Sequence, residues 1–206
     1  MKIVIVDYGM GNIRSLMGAL KHVGGGSAVV SSSHDELRGA DRLILPGVGA
    51  FGNAMGLIRA KGLDGVIREL ALEKGVPVLG ICLGMQLLGK SSDEGGSHEG
   101  LGLVEGDVRR FEGEGLKVPH VGFNQVRTGG GGRLYSGFGE SADFYFTHSH
   151  RMVGGDGLGA CFCDYGGDFI ASFEVGNIAG VQFHPELSQR NGLRLLRNFV
   201  TPEVFG

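Results

Sequence analysis

The chain of 206 residues carries a formal net charge of −3, with 20% charged and 42% hydrophobic residues, a composition that predicts one globular domain, residues 1–206, with a substantial core. No basic excess or clustered Lys/Arg run points to nucleic acid, and no apolar run approaches the roughly 18–20 residues of a membrane span. The opening "MKIVIVDYGMGN" enters a strand-like run without the cleavage site of a signal peptide, which predicts a cytoplasmic protein.

In chain order, Lys2 to Asp7 is a near-continuous β-branched run, the pattern of a strand buried on both faces. A Gly9–Asn12 turn follows, then a helical pattern from Ile13 to Val23 with Leu16 and Leu20 on one face. Ala28 to Val30 and Leu43 to Leu45 read as short strands. Asn53 to Ala60 and Leu63 to Glu73 read as helices, and Val76 to Ile81 as another buried strand with a helix after Cys82. This alternation implies a parallel sheet covered on both faces. Beyond residue 90 the pattern changes to short strands at Leu101–Phe111, Leu116–Val126, Phe144–Thr147, Ala160–Tyr165, Phe169–Phe173 and Ile178–Phe183, closed by a helix from Gln189 to Val200. The fold class predicted is α/β, a mostly parallel central sheet flanked by helices, with a mostly antiparallel strand set in the second half.

Two features of composition stand out. Cysteines occur only at 82, 161 and 163, too few for a disulfide framework. Cys161 and Cys163 share one face of a strand, lack a second pair for a metal site, and read as buried core thiols. Glycine occurs 41 times, about a fifth of the chain against a usual ~7%. Residues 129–132 form an obvious Gly turn, but Gly18, Gly56 and Gly89 fall inside helical patterns, where each costs about 1 kcal/mol relative to Ala; modest stability is the expectation.

The chemistry concentrates in three stretches. "GICLG", residues 80–84, has the spacing of a nucleophile elbow with Cys82 in the serine position. Glycines at −2 and +2 permit a sharp strand-to-helix turn, and a helix N-terminus behind the sulfur favours a thiolate. Taken alone, the pentapeptide equally suits a buried thiol in a Gly-rich turn. "QFHPE", residues 182–186, ends a strand at His184, with Glu186 two residues on to orient the imidazole, the triad logic in Cys-His-Glu form. "LPGVGAFG", residues 45–52, supplies backbone N–H groups that, with that of Leu83, suit an oxyanion hole, although by itself it also reads as a plain turn.

Together, and in this order, "PGVGAFG", "GICLGMQLL" and "QFHPE" resemble the class I glutamine amidotransferases. "IVDYGMGNIRS", Val48, "VPHVGFNQV" and "FYFTHSH" narrow the resemblance to the glutaminase subunits of imidazole glycerol phosphate synthase, over nearly the whole chain. The resemblance implies that Cys82 attacks the side-chain amide of glutamine to form a thioester and release ammonia, with His184 shuttling protons and Glu186 orienting it. It implies an oxyanion hole at Gly47, Val48 and Leu83, a glutamine pocket of Gly49, Gln86, Glu94, His148 and Ser149, and a partner interface at Pro119, His120, Phe123, Asn124 and Leu187. The partner implied is a TIM-barrel cyclase that receives the ammonia in a heterodimer. No phosphate-binding, flavin or nicotinamide signature is present, and neither cofactor nor metal is expected.

The chain departs from the family pattern at Phe123, where Trp is usual, at Leu187, where a basic residue is usual, and at His150, where Tyr is usual. Phe123 and Leu187 lie at the expected partner face. They keep open a paralogous glutaminase serving surface-sugar (acetamidino sugar) biosynthesis. A cysteine peptidase or hydrolase of the same fold needs neither Gln86 nor Glu186, and a non-catalytic scaffold needs no intact Cys82, His184 and Glu186; both are less favoured readings.

Overall fold

A computed structural model describes residues 1–129, 132–155 and 157–205; Gly130 and Gly131 of the Gly turn lie outside the described residues. The first half alternates strand and helix: β1 (Ile3–Val6), α1 (Ile13–His22), β2 (Val29–Ser31), α2 (His34–Arg38), β3 (Arg42–Leu45), α3 (Phe51–Ala60), α4 (Leu63–Arg68), β4 (Val78–Ile81) and α5 (Leu83–Leu87). The second half is strand-rich: β5 (Ser91–Ser92), β6 (His98–Glu99), β7 (Asp107–Arg110), β8 (His120–Arg127), β9 (Ser141–His148), β10 (His150–Val153), β11 (Ala160–Asp164), β12 (Asp168–Val175) and β13 (Ile178–Val181), then α6 (Gln189–Val200).

Among the described residues, nine strands form one sheet in the order β2-β1-β3-β4-β13-β12-β11-β8-β9. Pairing is parallel from β2 through β13 and antiparallel from β13 to β9. A second sheet runs β10-β7-β5-β6. Ser149 alone separates β9 of the large sheet from β10 of the small one.

The apolar runs explain the layering. Successive strand side chains point to opposite faces, so Val4, Val6, Leu43, Leu45 and Val78 join one core with Phe51, Met55 and Ile58 of α3. Ile3, Ile5, Ile44, Leu79 and Ile81 join the other with Leu16 and Leu20 of α1 and Leu195, Leu196 and Phe199 of α6. Each fully buried aliphatic chain contributes about 1.5–3 kcal/mol over leaving it in water, and a strand that feeds two cores needs no polar face.

Several element boundaries differ from the sequence reading. Only Asp107–Arg110 of the run from Leu101 to Phe111 is a strand; Leu101, Leu103 and Val104 instead bury against α5 through backbone bonds to Leu87 and Leu88. The helix at Leu63 ends at Arg68 and passes into a π-type turn, Glu69–Glu73. Gly89 lies beyond α5, not within a helix; a Cβ there would stand 2.9 Å from the Gly106 carbonyl. No described helix is long and apolar enough to cross a membrane.

Candidate active site

β4 and β13 are parallel neighbours with Ile81 opposite Val181. The chain therefore brings the residues after each strand, Cys82 and Gln182 to His184, to one edge although about a hundred residues separate them. Cys82 leaves β4 at φ 53°, ψ −109°, a conformation that costs a non-glycine residue on the order of 1–3 kcal/mol and persists only where packing enforces it. The enforcement is visible at its flanks. A Cβ at Gly84 would stand 1.7 Å from the Leu45 carbonyl oxygen, and one at Gly80 would stand 2.7 Å from backbone atoms of Gly84 and Met85. The helix behind the sulfur, α5, has only five residues, so little aligned backbone dipole stands there.

His184 and Glu186 complete the edge. Pro185 opens a single 3-10 turn, Pro185–Leu187, which folds the Glu186 carboxylate back to accept from His184 Nδ1 at 2.9 Å, both side chains 3% exposed. Their other polar atoms, His184 Nε2 and Glu186 Oε2, are buried without a hydrogen-bond partner. Burial alone would push the imidazole pKa down; the attraction of Cys82 and Glu186 outweighs it and pushes His184 up to about 10. Beside that carboxylate the imidazole can take a proton from the thiol at Nε2 and be stabilised as imidazolium.

A cavity of about 420 Å³ opens beside the sulfur, lined by Val48, Gly49, Cys82, Leu83, Gln86, Glu94, Pro119, Thr147, His148, Ser149 and His150. All five residues expected to bind glutamine, Gly49, Gln86, Glu94, His148 and Ser149, lie on its wall. Glu94 is anchored at the N-terminus of α3, where its Oε2 accepts from Phe51 N at 2.7 Å, and its Oε1 stands 3.6 Å from His150 Nδ1. Of the oxyanion group, Val48 and Leu83 line the cavity but Gly47 does not. Gly47 is wedged behind them, where a Cβ would stand 2.5 Å from Tyr8 Oη and 2.8 Å from Leu83 Cβ. Among the described residues no cluster of three or more His, Cys, Asp or Glu is placed to hold a metal ion.

The expected interface residues separate. Phe123 and Leu187 are exposed, 51% and 39%, with Val121 beside Phe123 on the outer side of β8. His120 instead points its side chain inward and is 3% exposed, stacked between Phe146 and Tyr165. It bonds through Nδ1 to His148 Nε2 at 3.0 Å, and His148 Nδ1 bonds the His150 carbonyl at 2.8 Å. Because that carbonyl only accepts, His148 donates from Nδ1 and receives at Nε2, and His120 donates from Nδ1. Burial holds both rings below the ordinary histidine range, His120 at about 4 and His148 at about 3. Sequence reading misses Gln182, whose amide lies 3.7 Å from Cys82 Sγ, and Thr147, whose carbonyl lies 3.9 Å from it. Gln182 stands inside the quoted "QFHPE" and near the end of the predicted strand Ile178–Phe183, so pairing that strand with the one before Cys82 is the signal that finds it.

The family "Glutamine amidotransferase class-I" matches residues 4–202. The chain belongs to the class I glutamine amidotransferases. Among relatives, "Imidazole glycerol phosphate synthase subunit HisH" of Moorella thermoacetica is 48% identical over 198 residues, covering 96% of this chain and 93% of that one. The protein of the same name from Aquifex aeolicus is 46% identical, covering 97% and 96%. This amidotransferase is thus similar over nearly its full length to chains named as HisH subunits. A solved structure titled "Crystal structure of glutamine amidotransferase" superposes with a TM-score of 0.76 at 25% identity, covering 96% of both chains. "Structure of PurLQS from Thermotoga maritima" superposes at 0.67 and 21% identity, covering 97% of each chain, a likeness of fold. The fold class read from the sequence is thus the fold of an amidotransferase.

Proposed function

We propose that this chain is the glutaminase subunit of an imidazole glycerol phosphate synthase, hydrolysing glutamine to glutamate and passing the ammonia to a TIM-barrel cyclase partner in histidine biosynthesis. The observation that carries the reading is that the parallel pair β4 and β13 brings Cys82 and His184 to one sheet edge, with Glu186 bonded to His184 Nδ1, in a chain of this family. His184 takes the thiol proton at Nε2, the unpartnered nitrogen, while Glu186 fixes the tautomer through Nδ1. The sulfur attacks the amide carbon, and the backbone N–H groups of Val48 and Leu83 receive the developing oxyanion. The C–N bond breaks as ammonia leaves with the proton from His184, and water, deprotonated by the same imidazole, cleaves the thioester. Glu94 receives the substrate ammonium group, and Gln86, His148, Ser149 and Gly49 complete the pocket.

The exposed Phe123, Val121 and Leu187 supply apolar surface for the partner. Leu187 offers no ion pair there, and this favours, as second reading, a paralogue feeding a sugar amidotransferase. Two measurements decide. Cys82→Ala is expected to abolish glutamine-dependent synthesis with the cyclase while ammonia-dependent synthesis continues; loss of both refutes the division of labour. The gene is expected to rescue a histidine auxotroph lacking its own glutaminase subunit, and failure there with ammonia delivery to a sugar amidotransferase selects the second reading.

A further inference from the structure

Behind Cys82 two buried side-chain amides meet, and the direction of each is fixed by its neighbour. The His150 carbonyl oxygen only accepts, so the Gln86 atom 3.0 Å from it is Nε2. The second bond of that nitrogen, also 3.0 Å, must end on an acceptor, and it ends on Gln182 Oε1. The Gln182 amide is thereby held with its own Nε2 on the far side, 3.7 Å from Cys82 Sγ. Turning it over would face two N–H groups toward each other in a place where Gln86 is 5% and Gln182 0% exposed, too deep for bulk water to compensate a buried unpaired donor.

We infer that Gln182 is a further catalytic residue of the reaction proposed above, its side-chain N–H donating to the Cys82 sulfur, and that Gln86 is the positioning residue that aims it. The inference rests on Cys82 being the nucleophile. When the S–H bond breaks, the proton passes to His184 and the electron pair stays on a sulfur that is only 6% exposed. Few water contacts are open to that anion. The amide N–H supplies a fixed partial positive charge that is already oriented before the proton moves, so nothing has to reorganise. It also stays in place when His184 surrenders its proton to the leaving ammonia. A consequence follows for Gln86: both its N–H groups are occupied within the protein, so it can present only Oε1 to a substrate.

The test is the pH dependence of Cys82 alkylation by iodoacetamide on the full chain, with Cys82 resolved from Cys161 and Cys163 by peptide mass spectrometry. Gln182→Met removes the donor at similar volume, and Gln182→Glu keeps the shape while exchanging nitrogen for oxygen. In both, the midpoint of the rate profile is expected to rise by about one pH unit, a tenfold smaller reactive fraction at a given lower pH, or about 1.4 kcal/mol. Gln86→Met, which keeps the donor but releases its aim, moves the midpoint the same way by less. A merely structural role for Gln182 lowers the melting temperature and leaves the midpoint in place, and coincident profiles in the folded Gln182 variants overturn the inference. Should neither fold, a Gln86→Met profile coincident with the parent overturns it. Alkylation needs no glutamine, so this outcome is separate from the Cys82→Ala synthesis assay, which tests the nucleophile itself.

Discussion

Three exposed glycines inside helices, Gly18, Gly56 and Gly65, have no positive φ, and a methyl group added at any of them would meet nothing within 4 Å. Gly18 is the sixth of ten residues in α1 and Gly56 the sixth of ten in α3, interior positions where Ala is favoured over Gly by about 0.8–1.0 kcal/mol. Gly65 is third of six in α4, within the first turn, so roughly half that gain is expected there. The sites lie on separate helices with no shared partner, so their effects should add. The triple variant Gly18→Ala, Gly56→Ala, Gly65→Ala should therefore be more stable by about 2 kcal/mol. For a chain of 206 residues this corresponds to a rise of about 4–8 °C in melting temperature. Urea unfolding followed by far-ultraviolet circular dichroism measures the first quantity and calorimetry the second. A midpoint equal to or below the parent's refutes the claim that these positions are open helix surface. The glycines could then no longer be understood as an avoidable helix penalty at sites where no packing demands them.

At Gly84 the opposite holds: Gly84→Ala drives a methyl into the Leu45 carbonyl, at a Cβ distance of 1.7 Å, and soluble expression with parent-like circular dichroism would refute the packing described. Glu186→Gln should keep the fold but lower kcat for glutamine hydrolysis by about 10²–10⁴-fold with little change in KM, because an amide can set the wrong His184 tautomer; steady-state kinetics with the partner present reads both. The buried pair His120 and His148 should make the protein acid-sensitive. Their folded values, about 4 and about 3, lie below the unfolded value near 6.5, so between about pH 6.5 and pH 4 the unfolded chain binds more protons and stability falls as pH falls, by up to about 1.4 kcal/mol per unit for each ring. A urea midpoint unchanged between about pH 7 and pH 5 refutes the neutral pair.

What can be read from the sequence is local. The continuous apolar runs at Ile3–Val6 and Val78–Ile81 have no polar face, so they declare strands buried on both sides, and both are. Gly80 and Gly84 frame Cys82 because a strand end and a helix start must pass within backbone contact there. Helix α2 escapes a reading by periodicity although Ser33 and Glu36 carry its start, the Ser33 hydroxyl accepting from Glu36 N at 3.4 Å; five residues are too few for a period to develop. β10 escapes because one residue, Ser149, both ends β9 and changes sheets. The reach of Gln182 to Cys82 depends on strand pairing across about a hundred residues, which no local pattern encodes. Family resemblance alone assigns His120 to the partner face; the rings that bury its side chain, Phe146 and Tyr165, come from β9 and from the turn after β11, and no local pattern shows them.

The single-residue step at Ser149 has a mechanical meaning. Residues Thr147 to His150, four in succession, line the cavity, and they are also the covalent splice between the two sheets. Any displacement of the small sheet therefore reaches this wall through bonds of fixed length rather than through compressible contacts, and neither sheet can shift its edge without reshaping the chamber. The chamber is dimensioned by a joint, and its width is a property of how two sheets are set against each other.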